Sequence, residues 1–334
     1  MLKLLFTLFP FIFFGFSSWT KTKSPHRIVI PVELYGNLPM VDAVVNGQKG
    51  KFIFDTGASE MLLNSRYFQG FFPLEKRVIE KANGVKESLR VTPIKKFELR
   101  GLRLAQREVT QLDLRHIEKM RGCKILGLLG RDLFLPYELV IDLPNKKITL
   151  YQLKRKGERK TATTDNLQPD YRFKFRNCAH LPCLPIGIGN QQYDFGMDTG
   201  AETNFLRRDI PEQVQHHLSI GKKLSASGVS KYQMETHEAM LHGVQLGEMS
   251  IKRMSTLLLK KKYLNRLFGT DLDGILGTPF FKRYKVSINY RNRTVGIWLP
   301  EQSIWLVDQE QGKAVEEAQW TERKKEHPFP EFIP

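Results

Sequence analysis

Residues 38–58, LPMVDAVVNGQKGKFIFDTGA, align without a gap to residues 181–201, LPCLPIGIGNQQYDFGMDTGA. Downstream, Ala82-Asn83-Gly84-Val85 matches Ala226-Ser227-Gly228-Val229, and Leu99-Arg100-Gly101-Leu102 matches Leu241-His242-Gly243-Val244. Gly127-Leu128-Leu129-Gly130 then matches Gly274-Ile275-Leu276-Gly277, and YELVIDLPNKKITLY from Tyr137 matches YKVSINYRNRTVGIW from Tyr284. Blocks that recur in one order mark a duplication, so the chain is expected to fold as two like units.

Within each copy the segments are short, rich in β-branched and aromatic residues, and punctuated by Gly, Asn and Pro, as strands joined by tight turns are. Asn46-Gly47 is a hairpin turn by composition, because both central positions of such a turn need positive φ. Helix is expected only in short pieces, around residues 131–135, around 278–283 and over 208–220. Each copy is therefore an all-β, barrel-like unit of roughly 125 to 130 residues, within the usual size of a domain. The expected order is an N-terminal lobe over residues 28–153, a charged, Thr-rich linker over 154–169, a C-terminal lobe over 170–300 and a polar tail over 301–334.

Each copy runs an apolar strand straight into Asp-Thr-Gly-Ala: Phe52-Ile53-Phe54 before Asp55, and Phe195-Gly196-Met197 before Asp198. A carboxylate at the end of a buried strand is costly unless something holds or uses it. The following Gly lets the backbone turn sharply and approach a bound partner. If the copies pack about a pseudo-twofold axis, Asp55 faces Asp198. Two facing carboxylates cannot both ionise cheaply, so the pair keeps one proton over a wide pH range. The ionised member can then take a proton from water while the protonated one hydrogen-bonds a carbonyl oxygen under attack. Such chemistry needs no metal, cofactor or covalent nucleophile.

These motifs resemble those of aspartic proteases of the retropepsin and pepsin clan, over about residues 30–300. The likeness is greatest to bacterial exported retropepsin-like proteins, with two copies fused as in pepsin. In that family the Asp-Thr/Ser-Gly motif is followed by a small residue and, farther on, by an apolar-apolar-Gly segment that threads under the catalytic loop. Here these are Asp55-Thr56-Gly57-Ala58 with Leu128-Leu129-Gly130, and Asp198-Thr199-Gly200-Ala201 with Ile275-Leu276-Gly277. The resemblance implies two pseudo-twofold-related acid-protease lobes, an aspartic endopeptidase active as a monomer, and an extended peptide or protein as substrate. It makes Asp55 and Asp198 the catalytic dyad and Thr56 and Thr199 the support that interlocks the two loops. The backbones of Gly57 and Gly200 would contact substrate, and the turns at Gly84-Val85 and Gly228-Val229 would be flaps over the cleft.

There are departures from the family pattern. Ser59 follows Ala58, but Glu202 follows Ala201, placing a third carboxylate beside one loop. Arg131 follows Gly130 as an Arg does in retroviral enzymes, while the equivalent position of the second copy is Thr278; the sequence leaves open whether Glu202 reaches Arg131. Ala at 58 and 201 removes a hydroxyl that hydrogen-bonds the carboxylates in pepsins. Its loss raises the lower apparent pKa of the dyad, so the expected optimum is mildly acidic to near neutral.

Charge and targeting bound the remaining readings. Fifty-two Lys and Arg against 35 Asp and Glu give a formal charge of +17. The basic residues are dispersed and no nucleic-acid recognition motif accompanies them, so nucleic acid is not an expected partner, while weak association with an anionic envelope surface is. Lys3, the apolar stretch 4–16 and the small residues Gly15, Ser17 and Ser18 follow the pattern of a signal peptide over residues 1–18. Export to the periplasm, envelope or medium is therefore expected; the alternatives are an uncleaved membrane anchor or a buried first helix. Of the three Cys, Cys178 and Cys183 are close enough to bridge a turn, which leaves Cys123 over. Two non-hydrolytic readings compete with the protease: a peptide-binding relative that pairs strands in the same cleft, and a basic interaction protein of the envelope surface.

Overall fold

The computed structural model describes residues 25–68, 76–80, 86–160, 168–227 and 233–300. The expected signal peptide, the tail and the flap residues Gly84, Val85, Gly228 and Val229 lie outside these.

The first half of the chain supplies β1 (Arg27–Pro31), β2 (Glu33–Tyr35), β3 (Leu38–Val45), β4 (Gln48–Phe54), β5 (Leu62–Asn64), β6 (Lys76–Glu80), β7 (Lys86–Leu99), β8 (Leu102–Leu112), α1 (Arg115–Arg121), β9 (Ile125–Leu129), β10 (Tyr137–Asp142) and β11 (Lys147–Gln152). The second supplies β12 (Tyr171–Lys174), β13 (Arg176–Cys178), β14 (Leu181–Ile188), β15 (Gln191–Met197), β16 (Phe205–Arg207), α2 (Glu212–Gln215), β17 (Leu218–Ser227), β18 (Gln233–Leu246), β19 (Met249–Leu259), α3 (Lys261–Phe268), β20 (Gly274–Leu276), α4 (Thr278–Arg283), β21 (Lys285–Asn289) and β22 (Thr294–Trp298).

The duplication is visible in the topology. Each lobe is an eight-stranded sheet, ordered β2-β3-β4-β9-β5-β8-β7-β6 in the first and β13-β14-β15-β20-β16-β19-β18-β17 in the second, which is the same path walked twice. Extra pairings of β3 with β7 and of β14 with β18 curl the sheets into barrel-like lobes. A third, six-stranded sheet, β1-β11-β10-β21-β22-β12, takes strands from both halves. At its middle β10 runs antiparallel to β21, with Leu139 opposite Ile288 and Ile141 opposite Val286.

Local chemistry explains these elements. In β1 the alternation turns Ile28 and Ile30 inward and leaves their neighbours exposed. Strand β4 begins half-exposed and ends in fully buried Phe52-Ile53-Phe54, so it carries the chain into the core immediately before Asp55. There Phe54 packs on Phe134 with ring centroids 4.8 Å apart, and Phe52 meets Phe97 edge-on at 6.0 Å. The turn between β3 and β4 has φ of 50° at Asn46 and 86° at Gly47, the left-handed pair its composition calls for. Cys178 and Cys183 form a disulfide across the β13–β14 hairpin, and Cys123 is free.

One helical expectation needs correction, and two helices were not expected. Over 208–220 only Glu212–Gln215 is helical, and Leu218 already pairs with Leu241 as strand. Helices α1 and α3 carry no expectation from sequence; each closes on a left-handed glycine, Gly122 or Gly269. Of the stretch read as linker, residues 154–160 pack on the six-stranded sheet: Arg159 pairs with Glu138 at 2.9 Å, and Asn289 donates to the Gly157 carbonyl at 2.8 Å. No helix among the described residues is long and apolar enough to cross a membrane.

Candidate active site

Both Asp-Thr-Gly loops are held the same way from below. Strand β4 pairs parallel with β9, and β15 with β20, so Phe54 lies beside Leu129 and Met197 beside Leu276. The chain then turns, and Asp55 N–H donates to the Leu129 carbonyl at 3.1 Å while Asp198 N–H donates to that of Leu276 at 3.0 Å. Returning past each glycine, Arg131 N–H reaches the Ala58 carbonyl at 2.8 Å and Thr278 N–H that of Ala201 at 2.7 Å. The threading leaves no space for a side chain at Gly130 or Gly277. A Cβ at Gly130 would fall on the Glu60 backbone, and one at Gly277 on the backbone of Ala201 and Thr203.

The loops interlock at the lobe boundary. Thr56 N–H donates to Thr199 Oγ1 and Thr199 N–H to Thr56 Oγ1, each at 3.0 Å. The hydroxyls pass the grip onward, Thr199 to the Phe54 carbonyl at 2.8 Å and Thr56 to that of Met197 at 3.5 Å. Both threonines are fully buried, so each of these bonds is made away from water, where leaving it unmade is expensive.

This grip brings Asp55 and Asp198 face to face. Both are buried, and each carboxyl lies against the glycine of the other loop. A Cβ built at Gly200 would stand 2.5 Å from the Asp55 carboxyl carbon, and one at Gly57 would collide likewise with Asp198. Gly57 and Gly200 are therefore glycines because the opposite aspartate occupies the space. Asp55 Oδ1 accepts Gly57 N–H at 2.8 Å and Ala58 N–H at 3.0 Å, and Asp198 Oδ1 accepts Gly200 N–H at 2.8 Å. Burial, and then the Asp198 charge, push the Asp55 carboxyl well above the usual carboxylate range, against the pull of its two amide donors. The pair thus retains a proton where isolated aspartates would have lost theirs.

The surroundings break the symmetry. Asn37 and His180 precede the aligned Leu-Pro pairs of the two copies, and each reaches the other lobe's loop. Asn37 Nδ2 donates to the Glu202 carbonyl at 3.0 Å, and a His180 ring nitrogen, Nε2, meets the Gly57 carbonyl. Glu202 is ion-paired with Arg121 at the end of α1, across the lobe boundary. Arg131 turns elsewhere: it donates to the His180 carbonyl at 3.1 Å and lies over the Tyr290 ring at 5.3 Å. The question the sequence left open is therefore answered by Arg121, not Arg131, as the partner of Glu202. Burial raises the Glu202 carboxyl, and Arg121 opposes that rise.

Asn37, Arg121, His180 and Tyr290 drew no attention from sequence reasoning. For Asn37 and His180 a signal existed, their equivalent places in the repeat; for Arg121 and Tyr290 there was none. Among the described residues no group of His, Cys, Asp or Glu is arranged to hold a metal ion.

Two like lobes, a shared sheet and paired Asp-Thr-Gly loops define a two-lobed acid-protease architecture. A family model described as aspartyl protease matches residues 41–133 and 184–280, one segment in each lobe. The two segments span more than half of the chain, which belongs to the aspartyl protease family. No curated protein matches the sequence.

Proposed function

We propose that this chain is an aspartic endopeptidase that hydrolyses peptide bonds with water activated between Asp55 and Asp198, one from each lobe. The observation that carries this reading is that each carboxyl stands against the other loop's glycine, so close that neither glycine could bear a side chain. A water held between them loses a proton to the ionised carboxylate as it attacks the peptide carbonyl carbon, while the protonated carboxyl hydrogen-bonds the carbonyl oxygen. Collapse of the resulting tetrahedral species breaks the C–N bond, and the leaving nitrogen takes up a proton from the dyad. The dyad ends with one proton, as it began.

Several features favour this reading over a peptide-binding relative that has lost catalysis. The Asp, Thr and Gly positions are intact in both loops, and the threonine grip that fixes them is complete. The substrate is a peptide segment in extended form, the conformation that pairs with strand edges in a cleft. With Ala58 and Ala201 offering no hydroxyl and burial raising Asp55, the optimum falls between mildly acidic and near-neutral pH. The apolar leader at residues 1–18 directs the enzyme out of the cytoplasm, and the two loops of one chain make it active as a monomer.

The test is incubation of purified protein with a mixed peptide library across pH 3 to 8, with product masses read out. Cleavage that vanishes in both Asp55→Asn and Asp198→Asn and is blocked by a statine-type mimic is the expected result. Cleavage persisting in either variant, or none at any pH from folded wild type, would overturn the proposal.

A further inference from the structure

His180 has no counterpart of its kind in the first lobe, where Asn37 stands at the equivalent position and bonds the Glu202 carbonyl instead. Its own contact is with the Gly57 carbonyl. A carbonyl oxygen only accepts, so Nε2 must carry the hydrogen and the ring donates. The Gly57 carbonyl and the Ala58 N–H are the two ends of one peptide unit. That same Ala58 N–H donates to Asp55 Oδ1 at 3.0 Å. The chain therefore reads from the imidazole N–H through one amide plane to the carboxylate oxygen. Donation to the oxygen end of an amide polarises it and strengthens the donor at its nitrogen end. It also fixes the rotation of that plane.

We propose that His180 is a positioning residue for the dyad, orienting and polarising the Gly57–Ala58 peptide unit and so strengthening the hydrogen bond that this unit gives to Asp55. This rests on the protease reading of the same site and goes beyond it by naming a residue outside the two loops that sets the dyad's proton affinity.

The surroundings suit a neutral donor. Arg131 Nη1 donates to the His180 carbonyl at 3.1 Å, and its charge opposes a second cation on the ring. The disulfide between Cys178 and Cys183 closes the hairpin whose turn carries His180, which limits the ring's excursions. The charged or titratable groups facing this corner are Arg131 from the segment after β9, Tyr290 after β21, and the two aspartates. Burial, with a smaller push from Arg131, takes the imidazole down to about 4, so the ring stays neutral across the range in which the dyad works. In the mildly acidic to near-neutral range its contribution is therefore constant with pH.

The experiment is a carboxyl-carbon NMR titration of protein labelled at aspartate, comparing wild type, His180→Ala, His180→Phe and His180→Gln. Asp55→Asn and Asp198→Asn serve to assign the two resonances. In wild type the dyad is expected to lose its two protons in separate steps. The Ala and Phe variants, which lack the donor, are expected to raise the first step by roughly half a unit to one unit. Gln, whose amide nitrogen has a similar reach, restores it. In peptide cleavage the acidic limb moves by the same amount, and kcat falls about fivefold to tenfold in Ala and Phe with KM within about twofold.

An unmoved first step in the Ala and Phe variants, or an equal shift in Gln, would overturn the proposal. The titration needs no turnover. If wild type cleaves nothing, the protease reading fails while the relay from His180 to Asp55 is still decided.

Discussion

Thr56 and Thr199 exchange hydrogen bonds across the lobe boundary, yet their hydroxyls do not bond onward equally: Thr199 reaches the Phe54 carbonyl at 2.8 Å, Thr56 the Met197 carbonyl only at 3.5 Å. Replacing either by the nearly isosteric Val strands a buried amide of the partner. Thr199→Val also strands a well-bonded carbonyl. We expect Thr199→Val to cost about 3 kcal/mol and Thr56→Val about 2 kcal/mol in urea denaturation. Equal losses, or the reverse order, would show that the longer bond is as strong as the shorter.

The proton shared by the dyad has a stability consequence. Asp55 is raised in the folded state, so its contribution is fully present below the ordinary carboxylate range and is lost as pH rises through the folded pKa. Asp55→Asn removes this dependence. The variant should melt roughly 3 to 6 °C above wild type at pH 8 and within about 1 °C of it at pH 4, while cleaving nothing. The check is a pair of thermal scans, and an identical difference at both pH values would refute it.

Gly200→Ala tests the approach of the loops. Its backbone is not among the positive-φ positions, so the conformation suits alanine; the nearest atoms to a new Cβ are those of the Asp55 carboxyl, at 2.5 Å. The expected outcome is a folded protein whose two carboxyls are forced apart, with kcat reduced about a hundredfold or more. Retained activity would mean that the carboxyls need not be in contact.

Arg121 faces a buried carboxylate in Glu202. Glu202 is already raised by burial, and Arg121 is what restrains it, so Arg121→Met should raise it further. The lost stability then appears as pH rises through the Glu202 pKa. We expect the variant to be about 3 kcal/mol less stable than wild type at pH 8 and nearly equal to it at pH 4. Adding Glu202→Gln should recover most of the loss at pH 8, which a denaturation series on the single and double variants would measure.

Much of this was legible in the sequence because it is written locally. The repeated strands, the Asn46-Gly47 hairpin, the two Asp-Thr-Gly loops and the apolar-apolar-Gly segments depend on backbone geometry and short-range pattern, which survive without knowledge of the fold. Helices α1 and α3 are two turns each, too short for a periodic signal, and are held by packing of Ile117 and Leu264 under the lobes. The partnership of Glu202 with Arg121, 81 positions away, follows from docking one lobe against the other, which no local pattern records. His180 was hidden differently: it aligned with Asn37, and only the contact with Gly57 distinguishes an ordinary turn residue from one that touches the loop.

In an enzyme assembled from two identical chains every substitution is made twice, so a change that helps one side of the site is imposed on the other. The central pairing of β10 with β21 binds unlike halves of one polypeptide. Each half can therefore accumulate its own mutations, as Asn37 against His180 and Ser59 against Glu202 record, and selection can tune the two sides of the site separately.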